Sequence, residues 1–149
     1  MNMAFNLRHT LMLGHFRRVI DLVEKDITLF CKQHGLTEQQ FQILEKLSVN
    51  ARFASKVFSQ KLLVQVASLP KYKITRNLDI LEQKKLLIRV DNKLSRRCKN
   101  ILLTEEGSKL AHEVSAIYNK ACADVFSVLS DDECSELQKL LLKVRRIEH

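Results

Sequence analysis

Apolar residues recur at helical intervals along the first thirty-odd positions. Phe16, Ile20, Val23, Ile27 and Phe30 step by 4, 3, 4 and 3, which places them on one face. Leu22 and Leu29 widen that stripe, and the pattern predicts one long helix over 5–33. Gly35 closes it at the position where a left-handed backbone costs glycine little. Thr37-Glu38-Gln39-Gln40 then has the form of a capping box. Phe41, Ile43, Leu44 and Leu47 carry a second, short helix. A third short helix is expected from about Ser55 to Val66, with Phe58, Leu62 and Leu63 apolar. A fourth opens near Pro70, because proline lacks an N–H that would find no partner at the first helical position. It turns Ile74, Leu78 and Leu81 inward and runs to about Lys84.

The period changes after that. Leu86–Asp91 is short and apolar, with Ile88 and Val90 alternating against Arg89 and Asp91, and Cys98–Leu103 is a second such run. The polar, cationic stretch Asn92–Arg97 lies between them, so the segment reads as a β-hairpin with a basic tip. Thr104-Glu105-Glu106 starts a further helix, a capping hydroxyl followed by acids where the helix dipole favours them. Leu110, Val114, Ile117, Ala121 and Val125 form its stripe. Ser130-Asp131-Asp132-Glu133 is another capping box, and Leu137, Leu140, Leu141 and Val144 mark the last helix. The expected fold is mainly α (α+β), in the order α-α-α-α-β-β-α-α. Three Gly and one Pro in 149 residues are too few turn formers for an all-β sandwich or barrel. No stretch approaches the roughly 18 apolar residues of a membrane span, and the first residues lack the form of a signal peptide, so a cytoplasmic location is expected.

Charge sharpens the picture. The chain carries +8, and the excess is concentrated. Residues 52–99 hold 13 basic and 3 acidic side chains, net +10, whereas 1–51 are net +1 and 100–149 net −3. A solvated basic face would explain part of this, but so local an excess is the footprint of a polyanion site. Three short helices followed by a basic hairpin form a winged helix-turn-helix, whose third helix enters a DNA major groove about 12 Å wide. Here that helix presents Lys71, Tyr72, Lys73, Thr75, Arg76 and Asn77, side chains of the types that reach phosphates and base edges. Ser59 and Gln60, together with Lys93, Arg96, Arg97 and Lys99 of the hairpin, complete the candidate DNA-binding set.

Ser59-Gln60 through Arg76 resembles, without a gap, the MarR family of winged-helix regulators, whose hydrophobic helix-turn-helix positions fall on Leu63, Ala67, Leu69 and Ile74. Ile74 through Leu87 is similar to the family's recognition helix and strand entry. Ser95-Arg96-Arg97 stands where the family wing usually reads Asp-Arg-Arg. Leu36–Phe41 and Leu103–Gly107 resemble the entries to the second and fifth helices. The resemblance spans roughly residues 36–110 by motif and the flanking helices by order and length. It implies a homodimer that binds double-stranded DNA at a pseudo-palindromic operator. It also implies a dimer built from the N-terminal helix (1–35) and the C-terminal helices (105–149) around a DNA-binding segment (36–104). Three residues depart from the family pattern: Pro70 for an N-capping serine, Lys85 for a glycine, and Ser95 for the wing aspartate that orients an arginine.

Other chemistry is sparse. Cysteines stand at 31, 98, 122 and 134 with no C-x-x-C spacing, so no metal site is expected, and Cys31-x-x-His34 supplies only two ligands. Cys98, flanked by Arg96, Arg97 and Lys99, is the candidate redox residue. His15 is the candidate contact for a small-molecule effector. Phosphate loops, nucleophile elbows and zincin motifs are missing from the sequence, and no enzyme activity or cofactor is expected. The competing reading is a winged-helix protein-interaction module, or an antagonist of another regulator, with no DNA target of its own.

Overall fold

The computed structural model describes residues 3–53 and 58–145, and at 3–6, 49–53 and 96 it describes the backbone alone. The elements run α1 (Met3–His34), α2 (Glu38–Phe53), β1 (Phe58–Ser59), α3 (Gln60–Val66), α4 (Lys71–Gln83), β2 (Leu87–Asn92), β3 (Ser95–Leu103), α5 (Glu105–Phe126) and α6 (Asp131–Arg145). The order is the expected one with a short strand added. Phe58 and Ser59 extend instead of opening the third helix, and they pair antiparallel with Ile101 and Asn100. The sheet order is β1-β3-β2. The third helix therefore starts at Gln60; the first part of its predicted span, 55–57, lies outside the described residues. The second helix is longer than expected, reaching Phe53.

Local signals set the element ends. Thr37 and Gln40 cap α2 reciprocally, each backbone N–H donating to the other's side-chain oxygen at 3.2 Å. Ser130 and Glu133 do the same for α6, at 2.8 and 3.2 Å. The Thr104 hydroxyl accepts from Gly107 N–H at 3.0 Å. Gly35 has φ +63°, the left-handed turn expected after α1. Pro70 sits one residue before the first helical position, as the N-cap, and has no side chain with which to cap.

One core joins the elements. Phe41, Ile43 and Leu44 of α2, Leu63 of α3, Ile74, Leu78 and Leu81 of α4, Leu87 and Ile101 of the sheet, and Val114 of α5 are buried in it. Close burial of this many aliphatic and aromatic side chains is the main favourable term holding α2–β3 together. Of the α1 stripe, only its end joins this core. Ile27 and Phe30 are buried and Val23 packs against the core, while Phe16, Ile20, Leu22 and Leu29 are exposed. Not one residue of α6 is buried.

The hairpin alternates with the opposite phase to the one expected. Leu87 and Ile101 point inward, whereas Ile88 is half exposed. Periodicity finds the alternation but cannot say which set meets the core; the pairing Leu87–Leu103 and Arg89–Ile101 decides it. The turn is also tighter than expected, with Ser95 already opposite Asn92, so Ser95 to Arg97 belong to a strand and not to a loop.

Candidate nucleic-acid interface

The helix-turn-helix pair is held by polar contacts within its own residues. Ser59 caps α3 by accepting from Leu62 N–H at 3.1 Å. Gln60 Nε2 donates to Thr75 Oγ1 at 3.2 Å, and Thr75 Oγ1 donates to the Lys71 carbonyl at 3.1 Å. Two of the predicted DNA-binding residues, Gln60 and Thr75, thus also fix α3 against the first turns of α4. Lys71, Tyr72 and Arg76 are exposed on α4, with Tyr72 at 68%, and Lys73 is half-buried.

Asn77 corrects the sequence reading. It is buried, and its Nδ2 donates to Gln39 Oε1 at 3.0 Å and to the Lys73 carbonyl at 2.8 Å. Its helical position puts it on the same side as Ile74 and Leu78, so its amide ties α4 to α2 instead of facing outward.

The wing carries the second cluster of cations. Lys93 and Leu94 form the turn, and Leu94 is almost fully exposed. Pairing jumps from Asp91–Lys99 to Asn92–Ser95, which leaves Arg96, Arg97 and Cys98 in a bulge of β3. A bulge bends its strand and re-aims the side chains on it. Arg97 is exposed there and Cys98 is half-buried. Lys99 is bound by the Asp91 carboxylate across the hairpin, so part of its charge is answered within the wing. Lys71, Lys73, Arg76, Lys93 and Arg97 have no ion-pair partner among the described residues.

Arg89 was not singled out by the sequence reading. It stands on the core side of β2, and its guanidinium donates to Asp79 Oδ1 and, at 2.8 Å, to Glu82 Oε2, both on α4. Its backbone N–H donates to Glu82 Oε1 at 3.0 Å. The hydrogen bond from Arg89 holds the Glu82 carboxyl below its ordinary range, and the same bond raises the guanidinium. Wing and recognition helix are thereby clamped together. The readable signal is an arginine among the apolar residues Leu86–Val90.

The departures from the family pattern have structural consequences. Lys85 takes φ +61°, a left-handed conformation that glycine adopts without penalty and that costs another residue roughly 1 kcal/mol. Its carbonyl accepts from Thr104 Oγ1 at 2.8 Å, and the Leu86 carbonyl accepts from Thr104 N–H at 3.1 Å. A side chain on Gly107 would place Cβ 1.7 Å from that Leu86 carbonyl oxygen, so the wing root and α5 meet only because residue 107 is glycine.

A cavity of about 390 Å³ opens beside the DNA-reading unit, walled by α1, α2, α5 and the α3–α4 turn at Ala67-Ser68. Ile20, Val23, Phe41, Tyr118 and Phe126 supply much of its apolar surface. Burial is the first cause raising the Tyr118 phenol, followed by the neighbouring Cys122 and Glu45. His15, the residue expected at an effector site, is exposed on α1 and is not part of this wall. Cys31, on α1, is buried, and desolvation pushes its thiol up, away from the thiolate form. Among the described residues no group of three His, Cys, Asp or Glu side chains could hold a metal ion, and no helix is long and apolar enough to cross a membrane.

Comparison with known proteins places this geometry. No protein-family model matches the chain. It is 29% identical over 136 residues to the HTH-type transcriptional regulator PecS of Dickeya dadantii (strain 3937), covering 91% of this chain and 81% of that one. Its fold is similar to that of AbsC, a MarR family transcriptional regulator from Streptomyces coelicolor, with a TM-score of 0.77, 20% identity and coverage of 98% and 95% of the two chains. The chain shares its fold with a MarR family regulator. A further fold match is NadR in complex with 4-hydroxyphenylacetate, at a TM-score of 0.72, 24% identity and coverage of 91% and 92%. The reading as a regulator and not an enzyme agrees with PecS and AbsC.

Proposed function

We propose that this protein is a homodimeric, sequence-specific regulator of transcription that binds double-stranded DNA. The observation that carries the reading is the cation set Lys71, Lys73, Arg76, Lys93 and Arg97. These residues come from two elements, α4 and the wing, that Arg89 clamps together. An exposed helix fits the major groove, and arginine on a wing is drawn to a narrow minor groove. In this reading Arg76 and Tyr72 face bases, while Ser59, Gln60, Thr75 and Asn77 set the pose of α4. Lys93, Arg97 and Lys99 neutralise phosphate.

Two features support the dimer. No residue of α6 is fully buried within its own chain, only Cys134 and Leu137 being half-buried, and a lone 15-residue helix is marginal in water. The α1 stripe continues past its buried end into exposed Leu13, Phe16 and Ile20. Residues 1–35 and 105–149 would supply the interface and 36–104 the DNA contacts. Two-fold symmetry would then set two α4 helices about 34–36 Å apart on one DNA face, over a pseudo-palindrome.

The cavity is the place for a small-molecule effector in this reading. It touches the turn leading into α4, so an occupant there would bear on the position of the recognition helix. The ligand seen with NadR, a protein of the same fold, favours such a role. Selection of bound sequences from random duplex DNA tests the main proposal. A pseudo-palindromic consensus with half-sites one helical turn apart is expected, and recovery of no consensus would overturn it.

A further inference from the structure

The chain as a whole is strongly basic, but the wall of its cavity is not. Three carboxylates line it, Glu24 on α1 and Glu38 and Glu45 on α2, against one ammonium, Lys46. Lys46 Nζ lies 3.1 Å from Glu45 Oε2, so the lysine and Glu45 answer each other. Glu24 and Glu38 remain, both exposed, and Glu38 Oε1 accepts from the Thr28 hydroxyl at 3.2 Å. The interior beneath them is apolar and aromatic, with the rings of Phe41, Phe126 and Tyr118.

We propose that the cavity selects an organic cation, an ammonium group attached to an apolar or aromatic body, over an anion of the same shape. The inference rests on the reading of the cavity as an effector site and adds the class of the effector. A carboxylate ligand would meet two carboxylates, and the single lysine is already engaged. An ammonium would sit between Glu24 and Glu38 and over ring faces, whose quadrupole attracts cations. The apolar body would displace water from the aliphatic wall. The net charge of the chain pulls the other way, since it favours anions at long range. Salt screens that pull beyond roughly 8–10 Å, so the wall decides for a group held inside.

The test uses three ligands of one shape: 4-phenylbutylamine, 4-phenylbutan-1-ol and 4-phenylbutyrate. Calorimetric titration of the full chain at pH 7 suits them, because the protein has no tryptophan to report on binding. The amine should bind roughly tenfold more tightly than the carboxylate, with the alcohol between. In the double variant Glu24→Gln/Glu38→Gln, both sites being exposed, the amine should fall to the alcohol's affinity while the alcohol is unchanged. Shifts in the Tyr118 ring signals would locate the amine. Equal or tighter binding of the carboxylate, or an amine preference that survives the double variant, would overturn the ligand class and leave the cavity as a site. Failure of all three ligands to bind would remove the effector reading itself.

Discussion

The DNA-reading segment and the helices that flank it treat their apolar residues in opposite ways. From β1 to β3 the chain closes its own core: Leu63, Ile74, Leu78, Leu81 and Leu87 are fully buried, and its charged residues are mostly cationic. In α6 and the first part of α1 most apolar residues stay outside, with Leu7, Leu11, Phe16, Ile20, Leu140 and Val144 exposed. The first region is finished by one chain, and its leftover charge calls for a polyanion. The second is unfinished in one chain, and its leftover apolar surface calls for a like surface. In the proposed reading, the difference separates DNA contact from dimer contact.

The largest effect should come where the two regions join. Gly107→Ala drives a methyl group into the Leu86 backbone, where neither partner is a flexible side chain. We expect a loss of about 3 kcal/mol or more, seen as a lower denaturant midpoint, with wing and α5 separating. Next, Leu140→Glu/Leu141→Glu places charges on the exposed face of α6. Self-association measured by sedimentation should weaken about 100-fold, roughly 2.7 kcal/mol, while the circular dichroism of the remaining helices persists. Unchanged association would mean that α6 is not at the interface.

Smaller effects belong to the DNA side. Arg76→Ala should cost roughly 1–3 kcal/mol for the selected duplex and relax its sequence preference, whereas Arg97→Ala should weaken all duplexes alike. Competition binding with selected and scrambled duplexes separates these outcomes. The smallest effect is at the clamp. Because Arg89 lowers the Glu82 carboxyl, its contribution to stability is present above the ordinary value of 4.5 and is lost as pH falls through the depressed one. Glu82→Gln should therefore lose under about 1 kcal/mol at pH 7, and its unfolding curve should merge with the wild-type curve once the pH falls below the depressed Glu82 value.

Helix stripes, both capping boxes and the left-handed Gly35 could be read from neighbouring residues, because each is a local event. What escaped the sequence is non-local. Phe58 and Ser59 form a strand only by pairing with Ile101 and Asn100, some forty positions away. The phase of the hairpin, and the bulge that carries Arg97, follow from a register that no alternation reveals. Asn77 was read as outward because its residue type suits DNA; Gln39, from another helix, gives its amide an inward partner. The candidate site was legible as a set of cations on two elements. The clamp at Arg89 and the cavity between four segments required the fold.

The most direct measurement is the affinity for the selected duplex as a function of salt, with the stoichiometry read in the same titration. A dimer gripping DNA through α4 and the wing predicts two chains per pseudo-palindromic duplex. It also predicts a linear fall of log affinity with log salt, with a slope of about −0.9 for each phosphate contacted and shallower by about two such steps when Arg97 is removed from both copies. One chain per duplex, or an affinity indifferent to salt, would contradict a dimeric DNA-binding regulator.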